Sequence, residues 1–325
     1  MTFHAVTQAV EKQQDYESVF PLVYSAEHSG SLREAALWLS ERRQELFEQV
    51  DLHGAVLLRG FPVASDKDFD QVIQSFDAPN FTYADSLSNA VRINRTERVF
   101  TANEAPPDVG IYLHHEMAQT PIYPAKLFFF CEQAAESGGA TPICRSDILL
   151  SRLAQDRSNF VAACIERGVK YTNIMPAVDD PKSGQGRSWR STLGVDNRRE
   201  AEARLSALGY TWIWRDNEIL SVTTPVLPAV YTLKDGRQSF FNQLIAAFRG
   251  WADARNDPSK SIRFGDDTPI DADDMNVAIQ LSDELTFDLS WQTGDVAIID
   301  NFSVMHGRRP FNGTRKVLVS LVANA

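Results

Sequence analysis

The alternation of apolar and polar positions along the chain predicts many short strands, with helices gathered near the start. Apolar residues recur at helical spacing over residues 32–48, and the run at 54–61 predicts a buried strand. Another helix is predicted from Asp68 to Phe76. The part of the chain before about residue 80 is therefore expected to be largely helical.

Further along, apolar runs bounded by turn residues predict more strands. These strands are expected at 98–101, 110–114, 125–131, 140–144, 210–214, 218–222, 228–232, 295–300 and 315–322. Helices are expected at 146–154, 157–167, 198–208 and 273–285. Between them, residues 176–197 form a polar stretch of a length that often serves as a lid in compact domains.

This pattern predicts a mainly β protein with flanking helices. Its core is expected to be a double-stranded β-helix, a jelly-roll or cupin-like arrangement in which two sheets form an open-mouthed barrel. No repeat or low-complexity segment interrupts the pattern, so residues 1–325 are predicted to form a single domain. Within it, about 1–80 is the helical amino-terminal part, and about 168–290 is a large insertion covering the barrel mouth as a lid.

The composition narrows the function classes. A formal net charge of -11 argues against a nucleic-acid groove, and no run of apolar residues is long enough to span a membrane. The three cysteines are isolated, which predicts neither a disulfide framework nor a zinc ribbon. With no export signal at the amino terminus, a reducing cytosol is the expected compartment. The sequence assigns no oligomeric state.

The most informative chemistry lies at His114-His115-Glu116. On a strand, residues i and i+2 point to the same side, so His114 and Glu116 can converge on one ion while His115 faces away. An HxE triplet alone carries little information, and a third ligand must come from another strand. These two residues therefore supply only two of the three ligands of a predicted metal site.

His306 is the best candidate for the third ligand. It follows the apolar run Val296–Ile299 in a stretch typical of a strand, a turn and a second strand. Two histidines and one carboxylate leave coordination positions open, which is typical of non-haem Fe(II) oxygenases rather than of closed structural sites. His114, Glu116 and His306 are therefore the predicted metal ligands and the predicted catalytic centre.

Three blocks of sequence resemble a known family. They are DLHGAVLLRGF near the start, IYLHHEMAQTPIYPAKLFFFCEQAAESGGATPI in the middle and GDVAIIDNFSVMHGRRPFNGTRKVLVSL at the end. Through them, the chain resembles the taurine dioxygenase superfamily of Fe(II)/2-oxoglutarate-dependent oxygenases, in its clavaminate synthase-like branch. The resemblance covers almost the whole chain, with glutamate at position 116 where taurine dioxygenase has aspartate.

The resemblance implies Fe(II) bound by His114, Glu116 and His306, 2-oxoglutarate as co-substrate, and O2 as oxidant. It assigns Thr141 and Arg315 to the distal carboxylate of 2-oxoglutarate. Physical chemistry agrees, because a buried carboxylate requires hydrogen-bonded partners and the guanidinium fork binds a carboxylate with two donors.

Residues beside the ligands are expected to support them. Ligating histidines normally donate their second N–H to a carboxylate or carbonyl, so His115, Asp300 and Asn301 are candidate partners. Glu116 argues against a halogenase, because halogenating members of this superfamily have a small residue in place of the carboxylate. Hydroxylation of an unactivated C–H bond, with release of succinate and CO2, is the expected reaction.

The resemblance further implies an amino-acid-like small-molecule substrate, either free or presented on a carrier protein. Arg308 or Arg309, just beyond His306, is a candidate partner for a substrate carboxylate. Asn242 and Trp189 are candidate contacts from the lid.

Three alternatives remain open at the level of sequence. The same iron site could perform desaturation, epimerisation or cyclisation. A non-catalytic cupin-like protein would bind metal without consuming O2 in the presence of 2-oxoglutarate. A zinc hydrolase could use the same ligand set, although no HExxH motif supplies a general base.

Overall fold

The computed structural model describes residues 3–27, 30–82, 87, 92–102, 105–180, 187–250 and 261–323. The described strands are β1 (Ala5–Thr7), β2 (Gln14–Asp15), β3 (Val19–Phe20), β4 (Leu22–Ala26), β5 (Ala55–Arg59), β6 (Phe100–Thr101), β7 (Ile111–His114), β8 (Lys126–Gln133), β9 (Ser137–Gly138), β10 (Thr141–Arg145), β11 (Val169–Met175), β12 (Thr211–Trp214), β13 (Leu220–Thr223), β14 (Tyr231–Thr232), β15 (Gln238–Ser239), β16 (Ile262–Phe264), β17 (Thr286–Leu289), β18 (Val296–Asp300), β19 (Val304–Arg308), β20 (Phe311–Asn312) and β21 (Lys316–Val322). The described helices are α1 (Leu32–Glu41), α2 (Arg43–His53), α3 (Asp66–Gln74), α4 (Ser146–Asp156), α5 (Ser158–Arg167), α6 (Trp189–Leu193), α7 (Arg198–Ala207), α8 (Leu244–Gly250) and α9 (Ala272–Glu284).

The largest sheet, called the major sheet below, has the strand order β1-β4-β5-β18-β8-β21-β6. Its central strands are apolar on both faces because both faces are covered. Val296 and Ile298 of β18 pack in the cluster that helices α1–α3 form with one face of the sheet. Ala297 and Ile299 pack in the cluster between this sheet and a second one. The alternation follows from the two-residue period of a strand.

The second sheet, called the minor sheet, has the order β17-β10-β19-β7. Its Ile143 and Val304 pack against the major sheet, whereas Cys144 and Met305 pack in the cluster that includes helices α4, α5 and α9. Two facing sheets with helices on their outer surfaces confirm the predicted mainly β jelly-roll core. Strand pairing within the minor sheet positions β7 and β19, which carry residues of the candidate site.

Some elements differ from the sequence prediction. The helix expected over 32–48 is two helices, which meet at Arg42 (φ -112°, ψ 10°). Strand β11 was not predicted, and it lies in a third sheet of order β12-β13-β11-β16. Helices α6 and α7 pack with this sheet around a separate apolar cluster. Strand β17, from the segment predicted as a lid insertion, lies at an edge of the minor sheet.

In the part of the chain that the structure describes, every helix is too short or too polar to cross a lipid bilayer.

Candidate metal centre and pocket

Three potential metal ligands converge at one edge of the minor sheet. His114 is the last residue of β7, and His306 lies opposite it on β19 in register. Their ring centroids are 4.4 Å apart. The Oε2 atom of Glu116 lies 3.4 Å from Nε2 of His306 and 3.9 Å from Nε2 of His114. One ligand atom from each residue lies within 4.8 Å of the others, as a shared ion requires.

A close approach of strands brings the two histidines together. Gly307 follows His306 at an irregularity in the pairing of β19 with β7. A Cβ atom on Gly307 would lie 2.4 Å from the carbonyl oxygen of Ile111. Only glycine fits this separation, so the sequence His306-Gly307 allows the histidine to reach His114.

Glu116 reaches the site by a different route from the one predicted. Strand β7 ends at His114, so Glu116 lies in the following turn, where Met117 adopts a left-handed conformation (φ 61°). Asn301 fixes this turn. Its Oδ1 accepts the backbone N–H of Glu116 at 2.8 Å, and its Nδ2 donates to the carbonyl of Glu116 at 3.0 Å. The convergence of His114 and Glu116 therefore depends on a turn and its side-chain clamp.

Hydrogen bonds also orient the neighbouring histidines. Nδ1 of His114 lies 2.7 Å from the carbonyl oxygen of Tyr112, which leaves Nε2 for a metal ion. His115 faces away from the site, as predicted, with its Nδ1 2.5 Å from the carbonyl oxygen of Asn301. Asp300 accepts a hydrogen bond from Ser303 at 2.6 Å and pairs with Lys126 at 3.5 Å. His115 and Asn301 thus support the turn that carries Glu116.

The electrostatics of the cluster suit a divalent cation. Burial, and then the neighbouring His306, lower the pKa of His114 to about 4, so its imidazole is neutral at pH 7. Burial raises the pKa of Glu116. Arg92 and a hydrogen bond with His306 together lower this pKa by a larger amount, so the net pKa lies well below its usual range. A neutral imidazole at His114 and an ionised carboxylate at Glu116 are protonation states that metal binding needs. The residues therefore fit Fe(II).

Beside the ligands lies a small pocket with a volume of about 60 Å³. Ala102, Ile111, Phe129 and Val317 supply apolar parts of its wall. The polar groups of the wall, besides the three ligands, include three guanidinium groups and one hydroxyl. These belong to Arg92, Arg308, Arg315 and Thr141.

Thr141 and Arg315 are in direct contact. Nη2 of Arg315 donates to Oγ1 of Thr141 at 3.3 Å, and Nε of Arg315 donates to the carbonyl of Gly139 at 2.8 Å. Nε1 of Trp291 donates to the same hydroxyl at 2.9 Å. Burial, and then Arg308, lower the pKa of Arg315 to about 10, so it remains a cation at neutral pH. The pair presents a fixed guanidinium and a hydroxyl to the pocket.

Of the four candidate substrate residues, only Arg308 lines the pocket. Its guanidinium donates to the carbonyls of Ala105, Pro106 and Val109, at 2.6 to 2.9 Å. The other three residues have contacts elsewhere. Nε of Arg309 donates to Asp288 at 2.8 Å near the surface, the amide of Asn242 donates to Ala229 at 3.0 Å, and the indole of Trp189 donates to Glu218 at 3.0 Å. Trp189 is fully buried in the cluster around α6 and α7.

The sequence reasoning missed Arg92. Its Nη2 donates to Oε1 of Glu116 at 3.1 Å, and both side chains are almost fully buried. No short motif marks this arginine, which precedes its partner by 24 residues. The contact comes from the way the chain folds back before β7.

Comparison with known proteins places the chain in a family. Residues 18–321 match the model of the taurine catabolism dioxygenase TauD, TfdA family. The chain is 39% identical to a clavaminate synthase-like protein of Arabidopsis thaliana, over 97% of this chain and 98% of that protein. It is 28% identical to the dapdiamide synthesis protein DdaC of Enterobacter agglomerans, over 94% of each chain.

Solved structures share the fold at low sequence identity. PvcB of Pseudomonas aeruginosa superimposes with a TM-score of 0.55 at 14% identity, covering 100% of this chain and 92% of that one. A taurine dioxygenase of Burkholderia xenovorans superimposes with a TM-score of 0.54 at 12% identity, covering 98% and 90%. These comparisons agree with the fold, the enzyme class and the cofactors, Fe(II) and 2-oxoglutarate, that were expected from the sequence. The chain belongs to the TauD/TfdA family of dioxygenases.

Proposed function

We propose that this protein is an Fe(II)/2-oxoglutarate-dependent oxygenase that hydroxylates an unactivated C–H bond of an amino-acid-like substrate in specialised metabolism. One observation carries the proposal: the His114, Glu116 and His306 cluster shares a pocket with the Arg315–Thr141 pair. The first group suits an open metal site, and the second suits the far carboxylate of a dicarboxylate co-substrate.

The cofactor and co-substrate each have a proposed set of residues. Nε2 of each imidazole and Oε2 of Glu116 would hold the iron, and Arg315 with Thr141 would hold 2-oxoglutarate. When bound, Fe(II) with 2-oxoglutarate and O2 supplies the oxidising power that converts a C–H to a C–OH bond, with succinate and CO2 as co-products.

The chain's own residues supply orientation and exclude water. Phe129 packs beside His306, with ring centroids 5.3 Å apart, and forms part of the apolar wall with Ile111 and Val317. A wall of this kind limits access of water to the reacting C–H bond. Hydrogen bonds from Asn301 to the Glu116 turn keep the ligand set fixed.

Arg308 is the proposed partner of a substrate carboxylate, because it is the only one of the four candidate residues that reaches the pocket wall. Arg309, Asn242 and Trp189 do not line the pocket, so they would contact substrate only after rearrangement. A lid role for the segment 168–290 would likewise require it to move, because none of its described residues lines the pocket.

The relatives support the substrate class. One is named as a dapdiamide synthesis protein, and PvcB is described as an Fe, alpha-ketoglutarate dependent oxygenase from an isonitrile synthetic pathway. Both names refer to the assembly of small nitrogen-containing products. Desaturation, epimerisation or cyclisation at the same iron would use the same residues and differ only in how the substrate is placed.

The test is succinate formation by protein reconstituted with Fe(II) without O2, supplied with 2-oxoglutarate and then exposed to air. A panel of amino acids is added, both free and loaded on a carrier protein. We expect one panel member to raise succinate formation and to gain the mass of one oxygen atom. An Arg308→Met variant should raise the KM for that member. The absence of succinate with every panel member, together with no binding of iron or 2-oxoglutarate, would contradict the proposal.

A further inference from the structure

The two oxygens of the Glu116 carboxylate have different partners. Oε2 lies near the two imidazoles, at 3.4 and 3.9 Å, whereas Oε1 accepts a hydrogen bond from Nη2 of Arg92 at 3.1 Å. The Arg92 and Glu116 side chains are only 9% and 7% exposed, so water competes weakly for this contact. Arg92 therefore bonds Oε1, and Oε2 is the oxygen that lies beside the imidazoles.

The sheet holds Arg92 in place. The neighbouring Ile93 pairs with Thr101, with the backbone N–H of Thr101 donating to the carbonyl of Ile93 at 2.9 Å and the N–H of Ile93 donating to the Thr101 hydroxyl at 3.1 Å. Thr101 belongs to β6, which pairs with β21 at the edge of the major sheet. The guanidinium also lies over the ring of Phe100, 5.5 Å from its centroid. These contacts fix the position from which Arg92 reaches Glu116.

A glutamate ligand needs such a restraint. A carboxylate can bind a metal ion through one oxygen or through both, and the longer side chain of glutamate gives it one more rotatable bond than aspartate. Binding through both oxygens would occupy one of the positions that an open site keeps for co-substrate and O2. A guanidinium already bonded to Oε1 opposes that rotation.

We infer that Arg92 is a positioning residue, which holds Glu116 by Oε1 so that the carboxylate would bind a metal ion through Oε2 alone and leave the remaining coordination positions open. The inference rests on the proposed function, because it concerns the same metal site. It assigns a role to a residue outside the ligand set and outside the 2-oxoglutarate pair.

The first test is a crystal structure of the wild-type protein loaded with Mn²⁺, which is stable in air. We expect Oε2 of Glu116 on the metal and Oε1 still hydrogen-bonded to Arg92. Glu116 bound through both oxygens, or Arg92 displaced from it, would overturn the inference alone. A protein that bound no Mn²⁺ at His114, Glu116 and His306 would contradict the proposed function and this inference together.

The second test counts the open positions in solution. The enhancement of water-proton relaxation by bound Mn²⁺ depends on the number of water ligands, and three protein atoms on an octahedral ion leave about three. Arg92→Met should free Oε1 to bind, remove one water and lower the enhancement per bound ion by about a third. Arg92→Lys, which retains a donor and a positive charge, should remain closer to the wild type.

Arg95→Met is the matched control. Arg95 lies three residues further along the same segment, but it pairs with Asp66 and Glu132 away from the metal site. The enhancement of water-proton relaxation per bound Mn²⁺ in this variant should equal that of the wild type. An unchanged enhancement in Arg92→Met would overturn the inference. If that variant does not fold, Arg92→Leu, which also lacks a hydrogen-bond donor, replaces it with the same expected loss, and the wild-type crystal structure still decides.

Discussion

At the scale of single residues, the guanidinium of Arg315 is the proposed anchor of 2-oxoglutarate. Its Nε donates to the carbonyl of Gly139, and its Nη2 donates to the hydroxyl of Thr141. Arg315→Met should weaken 2-oxoglutarate binding by about 2 kcal/mol, or roughly 30-fold, because charge-assisted hydrogen bonds are lost. Calorimetric titration of the Mn²⁺-loaded protein measures this change.

Arg309→Met is the control for that titration. Arg309 has the same charge, but it pairs with Asp288 near the surface and does not line the pocket. The 2-oxoglutarate affinity of this variant should stay within about twofold of the wild type, because Arg309 does not line the pocket and its partly exposed ion pair contributes little to stability. Equal affinities for Arg315→Met and the wild type would remove Arg315 from the proposed site.

Thr141 is the second residue whose role can be isolated. Its hydroxyl accepts hydrogen bonds from Trp291 and Arg315, and the residue is 2% exposed. Thr141→Val keeps the shape and leaves the indole N–H without this acceptor, which should lower the free energy of unfolding by about 1–2 kcal/mol. Urea unfolding measures the loss. Thr232→Val, at an exposed position on β14, should change stability much less, and equal losses in the two variants would contradict a special role for the Thr141 hydroxyl.

At the scale of elements, the turn between β18 and β19 holds the chain after β7. Asn301 donates to the carbonyls of Glu116 and Pro124 and accepts from the Glu116 N–H. Asn301→Ala should therefore reduce the free energy of unfolding by about 2–3 kcal/mol, since buried backbone groups lose their partners. It should also weaken Mn²⁺ binding by about tenfold, as the removal of supporting contacts does at other metal sites.

The matched control for this turn is Asn312→Ala on β20. Its amide donates to the Ser137 hydroxyl at 3.0 Å in the exposed two-stranded sheet that β20 forms with β9. The control should change stability by less than about 0.5 kcal/mol and leave Mn²⁺ binding unaltered. If Asn301→Ala bound Mn²⁺ as tightly as this control, the turn would have no part in positioning Glu116.

The elements that the sequence predicted well are those with strong local signals. The apolar runs that became β8 and β18 are buried on both faces, and the strand, turn and strand around His306 has the expected order. The unpredicted β11 has only three fully buried positions among seven, so its pattern is weak. Its place in a sheet depends on pairing with β13 and β16, which are distant in sequence.

Tertiary contacts explain the site residues that sequence analysis could not place. Arg92 meets Glu116 only because the segment around β6 folds back onto the major sheet. Trp189 lies in a polar stretch, yet its ring packs against Trp214 at 5.1 Å, in a cluster whose members are spread along the chain from Leu87 to Val222. Neither contact leaves a periodic pattern around the residue itself.

At the scale of the whole molecule, buried histidines should make stability depend on pH. Burial lowers the pKa of His115 to about 3 from the ordinary value of 6.5. Below pH 6.5 the unfolded chain binds a proton that the folded protein does not, so stability falls as pH decreases. Metal-free protein should lose about 1.4 kcal/mol through His115 between pH 7.5 and 5.5, and His114 should add to the loss.

Urea unfolding in the presence of a chelator, at both pH values, tests this dependence. In a His115→Gln variant, the difference in stability between pH 7.5 and pH 5.5 should be smaller by the contribution of His115. In His4→Gln the full difference should remain, because the His4 side chain is 66% exposed. Equal stability of the wild type at pH 7.5 and 5.5 would show that the buried histidines accept protons in the folded state.

The central claim is that His114, Glu116 and His306 form one iron site that consumes 2-oxoglutarate. Succinate formation in air, by wild type and by His306→Ala reconstituted with Fe(II), tests it most directly, with His4→Ala as the control. We predict succinate from wild type and His4→Ala, and none above the protein-free background from His306→Ala. Succinate formation by His306→Ala at the wild-type rate would contradict the account.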